Sequence, residues 1–216
     1  MKPLAILAAA AAAALLVPAA RAAAPAASLS LTPCQLEHPQ RLLSIAAQCG
    51  ELAVPEDRSK PDGRRIRLFV ARVPALNRET RSEPLLLIAG GPGMGTADFF
   101  TNVSAAFKLV NREHDIVLVD QRGTGRSAAL RCAEADEQTL QVDLPKVLQA
   151  MRSCREQLSQ TADLAQYTTS VAVADLEAVR TALGYARLNL YGSSYGTRVA
   201  QHYARRACHR REIQCK

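Results

Sequence analysis

Two short runs stand apart from the rest of the chain. Leu85-Leu86-Leu87-Ile88 and Ile116-Val117-Leu118-Val119 are apolar at every position and lie between turn-forming residues. A strand with no polar face must be covered on both sides, as in a parallel sheet with helices above and below. Residues 66–73 instead alternate apolar with polar residues over their first half, the period-two pattern of a strand with one solvated face. Pro61-Asp62-Gly63 just before them predicts a hairpin back to a strand over 50–55. A crossover helix is expected over about 97–110. Helical spacing returns over 144–158 and 171–183, where Val173, Leu176, Val179 and Leu183 fall near one face and Gly184 follows as a C-terminal cap. A short strand over 188–191 and a helix over 197–206 close the pattern, with Gly192-Ser193-Ser194-Tyr195-Gly196 between them. Strands and helices thus alternate, which predicts an α/β fold with a mostly parallel sheet and helices on both faces.

The N-terminus obeys a different rule. Lys2 is followed by an apolar stretch over 4–17, then by Pro18 and small residues. This predicts a signal peptide over 1–24, cleaved after Ala22 or Ala24. A transmembrane anchor would need about 20 apolar residues, and the stretch is shorter. The expected location is therefore secreted or periplasmic, with no membrane attachment after cleavage. The folded core is expected over 25–206.

Composition narrows the class further. The chain has 216 residues, 48% of them hydrophobic, enough for one sizeable core. The net charge of +7 raises the question of nucleic acid, but the cations are scattered among acidic residues and aromatics are only 4%. Without stacking groups among the basic ones, a solvated basic surface is the better reading and no nucleic-acid partner is expected. Six cysteines suit an oxidising compartment. Proximity in sequence favours Cys34 with Cys49 and Cys132 with Cys154. No C-x-x-C pair is present, so no metal site is expected, and no motif calls for a cofactor. Asn102-Val103-Ser104 is a glycosylation sequon.

Three loops carry the candidate chemistry. Gly192-Ser193-Ser194-Tyr195-Gly196 fits G-x-S-x-G at a strand-to-helix turn, which makes Ser194 the candidate nucleophile. Ala89-Gly90-Gly91-Pro92-Gly93-Met94-Gly95 follows a buried strand, where amide donors for an oxyanion belong. Each such donor lowers the barrier by about 3 to 4 kcal/mol. Pro92 has no N–H, so the donors are assigned to Gly91 and to Tyr195, the residue after the serine. The glycine spacing does not fit a dinucleotide fingerprint, and no G-K-[ST] follows. The third loop, Asp120-Gln121-Arg122-Gly123-Thr124-Gly125-Arg126-Ser127, ends the second buried strand. Asp120 and Arg122 are expected to order that loop rather than to react.

Together GGPGMG, DQRGTGRS and GSSYGT, in this order after an exported N-terminus, resemble the secreted α/β-hydrolases related to proline iminopeptidase and tripeptidyl aminopeptidase. The resemblance covers roughly 34–206. It implies a Ser-Asp-His hydrolase that releases short units from peptide N-termini through an acyl-enzyme on Ser194. Ala89 departs from it, since many iminopeptidases carry histidine there.

In that fold the order along the chain is serine, then acid, then histidine. After Ser194 the sequence holds only Glu212 as a carboxylate and only His202 and His209 as imidazoles. His202 lies within the helix leaving the serine and is expected to be solvated, away from the hydroxyl. Residues 207–216 carry no strand pattern and are expected to be an aberrant tail from a frameshift or premature stop near Ala207. Three functions follow: a serine exopeptidase, an inactive fragment or binding protein, and a carboxylesterase on the same fold. The expected partner is a peptide or small ester, and no pattern sets an oligomeric state.

Overall fold

Six strands form one sheet in the computed structural model, which describes residues 29–77, 79, 82–132 and 144–209. The expected signal peptide therefore lies outside the described residues, as do residues 210–216 of the expected tail. The strands are β1 (Thr32–Glu37), β2 (Ser44–Pro55), β3 (Arg65–Val73), β4 (Leu85–Ile88), β5 (Ile116–Val119) and β6 (Asn189–Gly192), in spatial order β1-β2-β3-β5-β4-β6. The sheet is mixed. β1, β2 and β3 form an antiparallel meander, and β3 meets β5 antiparallel. Beyond that junction β5, β4 and β6 run parallel, and these three strands carry the candidate chemistry at their ends.

The uninterrupted apolar runs have the predicted cause. All four residues of β4 and all four of β5 are buried. Successive side chains point to opposite faces, so Leu86, Ile88, Val117 and Val119 join one core with Val173, Leu176, Val179, Val199 and Tyr203. Leu85, Leu87, Ile116 and Leu118 join the other with Ala97, Phe100 and Phe107. The first core is roofed by α3 (Thr169–Ala182) and α4 (Tyr195–His209), the second by α1 (Thr96–Val103).

Several boundaries differ from the sequence pattern, among them β2, which begins at Ser44 rather than at residue 50. β1 was not expected as a strand, because Leu36 is its only buried residue. Its pairing comes from the hairpin with β2 and from Cys34 and Cys49, whose Cα atoms are 5.8 Å apart in a disulfide. The crossover helix stops at Val103 and gives way to 3₁₀ turns, which bury Phe107 against Phe100 and against the edge of the Tyr191 ring, at centroid distances of 6.0 and 5.0 Å. At its end the chain continues helical to His209, past the expected boundary at Arg206.

α2 (Leu144–Ser159) buries no residue and is tied back by Cys154 to Cys132, with Cα atoms 5.5 Å apart. α3 starts where the Thr168 hydroxyl accepts the Val171 N–H, and Gly184 follows at φ +74 as the expected cap. No helix of the described residues is long and apolar enough to cross a membrane.

Candidate active site

Parallel register brings the candidate loops to one end of the sheet. Ile88 of β4 lies beside Gly192 of β6, so residues 89–95 and 193–194 leave the sheet side by side. The loop 120–127 leaves β5 at the same end. The carboxyl ends of parallel strands are where ligands bind in open α/β sheets.

Ser194 occupies the turn between β6 and α4 at φ +52, a left-handed conformation that is costly for a residue with a Cβ. It is exposed, and its carbonyl is fixed by the Thr197 N–H at 3.0 Å and the Thr197 hydroxyl at 2.7 Å. The turn is tight because its flanking glycines permit it. A Cβ on Gly192 would lie 2.4 Å from the Gly196 carbonyl oxygen, and one on Gly196 would lie 2.2 Å from that of Ile88. Ser193 donates its N–H to the Ile88 carbonyl at 3.0 Å, which pins the start of the turn to β4. The hydroxyl of Ser194 thus stands at the N-terminus of α4, where the helix dipole favours negative charge.

The glycine loop packs directly against this turn. A Cβ on Gly90 would fall 2.7 Å from the Ser194 Cβ and 3.3 Å from its Oγ. Gly91 and Gly93 take φ of +105 and +110, and the Gly91–Pro92 peptide is cis. The phenol of Tyr195 shares a hydrogen bond of 2.6 Å with the Thr169 hydroxyl at the start of α3. Ser194, Gly91 and Tyr195 therefore lie on neighbouring segments, and Gly90 is a contact that the sequence reading did not single out.

The third loop is tied to α3 and to the segment after β2 through partners the sequence did not reveal. Asp120 and Arg122 each have partners of their own. Arg122 is buried and holds Asp175 of α3 with both ends of its guanidinium, at 2.6 and 2.9 Å. It also donates to the carbonyls of Glu56 and Gln166. Arg58 pairs with the same carboxylate. Asp175 sits on a helix face among apolar residues, so only its burial marks it as a partner for a buried cation. Tyr167 closes this cluster, donating to Glu56 at 3.1 Å with its ring 5.8 Å from the Arg122 guanidinium. Burial and the Glu56 carboxylate push its phenol up to about 12.

None of His38, His114 and His202 is hydrogen-bonded to Ser194. His38 bonds Asn102 at 2.8 Å and His114 bonds the Glu83 carbonyl at 2.7 Å. His202 is half-buried on α4 rather than solvated. Among the described residues no cluster of His, Cys, Asp or Glu is arranged to hold a metal ion.

The chain's likeness to known proteins agrees with this layout. Residues 83–215 match the alpha/beta hydrolase fold family. Serine protease Hip1 of Mycobacterium tuberculosis is 34% identical over 189 residues, which make up 80% of this chain and 36% of that protein. Tripeptidyl aminopeptidase of Streptomyces lividans is 34% identical over 177 residues, 72% of this chain and 32% of that one. A crystal structure of proline iminopeptidase from Mycobacterium smegmatis superposes with a TM-score of 0.46 at 22% identity, covering 72% of this chain and 39% of that chain. The chain spans about a third of the length of the relatives it matches.

Proposed function

The chain belongs to the α/β-hydrolase fold family, and from that premise we propose that it carries the nucleophile and oxyanion pocket of an exported serine peptidase acting at peptide N-termini. The observation that supports this most is the strained turn at Ser194, held between β6 and α4 with Gly90 against its side chain. In this reading the Ser194 Oγ attacks the scissile carbonyl, and the carbonyl oxygen becomes an oxyanion held by the N–H groups of Gly91 and Tyr195. Collapse of the tetrahedral intermediate expels the amine and leaves an acyl-enzyme, which water then opens.

A general base must take the Ser194 proton, and the carboxylate that orients it must lie nearby. This reading places both in sequence outside the third of the relatives' length that is shared. Without a base, donors and binding alone retain on the order of 10³ to 10⁴ over water in triad enzymes, so the rate at which Ser194 reacts reports whether a base reaches it. That two relatives are named a serine protease and a tripeptidyl aminopeptidase supports a peptide substrate over an ester. The paired cysteines favour an oxidising compartment and hence export. A fluorophosphonate probe tests the assignment: covalent labelling that maps to Ser194 and vanishes in Ser194→Ala is expected. A protein that is not labelled is instead a binding or inactive form.

A further inference from the structure

The glycine loop beside Ser194 has little with which to hold its own shape. Residues 90–95 are Gly-Gly-Pro-Gly-Met-Gly, with left-handed backbone at Gly91 and Gly93 and an exposed Met94 as the one large side chain. Its conformation must come from its two anchors, the end of β4 and the start of α1, and both meet the neighbouring loop. At the second anchor the Asp120 carboxylate is buried. Its Oδ1 accepts the Ala97 N–H at 2.9 Å and its Oδ2 accepts the Arg126 N–H at 2.9 Å. The Ala97 N–H belongs to the first turn of α1, where helix geometry leaves N–H groups without a partner. A carboxylate is therefore the natural acceptor there.

The fit around Asp120 is as close as the bonds. A Cβ on Gly125 would fall 2.2 Å from Oδ2, and one on Gly95 would fall 2.9 Å from the Gly125 Cα. The two loops thus touch backbone to backbone, with the carboxylate wedged beside the contact. At the first anchor Gln121 donates to the Ala89 carbonyl at 3.4 Å, and both groups are buried.

We propose that Asp120 is a positioning residue for the oxyanion pocket: by gripping the start of α1 it fixes the loop that presents the Gly91 N–H beside Ser194. Asp120 does not touch the reacting atoms. Its catalytic meaning rests on the reading of Gly91 as an oxyanion donor, whereas its grip on the loop can be tested without any activity. Burial raises the pKa of this carboxyl despite the two N–H bonds, so the fold retains an acid here against a desolvation penalty.

The test compares amide hydrogen exchange in the wild type, Asp120→Asn and Arg126→Ala, alongside the rate of fluorophosphonate labelling. Asparagine keeps the size but turns an N–H₂ group toward one of the two backbone donors. Exchange over residues 89–99 is expected to quicken about tenfold while β2, β3 and α3 keep wild-type rates, and labelling should slow. Arg126→Ala leaves the bonded backbone N–H in place and removes the guanidinium over the Phe69 ring of β3, so its exchange over residues 89–99 should stay at the wild-type rate. If Asp120→Asn does not fold, Gly125→Ala displaces the carboxylate with its charge intact and should give the same local quickening. Wild-type exchange over 89–99 in the variant that folds overturns the proposal, and so does an equal quickening through β2, β3 and α3. A wild type that the probe leaves unlabelled counts against Ser194 as nucleophile only, because the exchange result stands without it.

Discussion

β5 and β6 are both four-residue strands of the same sheet, yet different forces hold them. Every residue of β5 is buried, whereas β6 alternates exposed and half-buried positions, with Tyr191 43% exposed. β5 is held by apolar burial on two faces. The β6 turn is held by backbone approach: Gly192 against Gly196, Gly196 against Ile88, Ser193 bonded to Ile88. The Ser194 end of the sheet thus owes its geometry to the absence of side chains at a few positions. Burial, which holds the centre together, contributes less there.

The largest expected effect is at the centre. Leu118→Ala should cost about 3 to 5 kcal/mol in denaturant unfolding, because its buried surroundings cannot collapse around the cavity. Leu190→Ala on β6 should cost about 1 kcal/mol, since that side chain is already partly in water. Similar losses from the two would erase the contrast. Next in size is Gly196→Ala, expected to cost about 2 to 3 kcal/mol although it removes no contact, because its Cβ meets the Ile88 carbonyl. A neutral Gly196→Ala would show that the turn is looser than drawn. The smallest effect should be a gain. Ser194→Gly should raise stability by about 1 kcal/mol by relieving the φ of +52, as an increase in the denaturant midpoint would reveal.

The same contrast explains what could be read in the sequence. β4 and β5 were legible because burial on two faces writes an uninterrupted apolar run. The turn at Ser194 was legible because close approach writes glycine at fixed spacing, and the two cysteine pairs because each closes a short loop. β1 was not, since a strand with one buried residue has no periodicity to find. Asp175 was hidden for another reason: a lone carboxylate within a helix gives no sign of the Arg122 that meets it from a distant loop. Asp120 was visible as part of a motif, but its hold on Ala97 depends on two loops meeting in space. The shape of the loop over 90–95 could not be read from its own residues, because its support lies elsewhere in the chain.

The central claim is that Ser194 is a nucleophile set in a preformed pocket. Fluorophosphonate treatment followed by peptide mapping tests it most directly. The expected result is one adduct, located on Ser194, absent in Ser194→Ala and slowed in Asp120→Asn. Labelling spread over other serines such as Ser193, or none at Ser194 in protein whose sheet is intact by amide exchange, would contradict it.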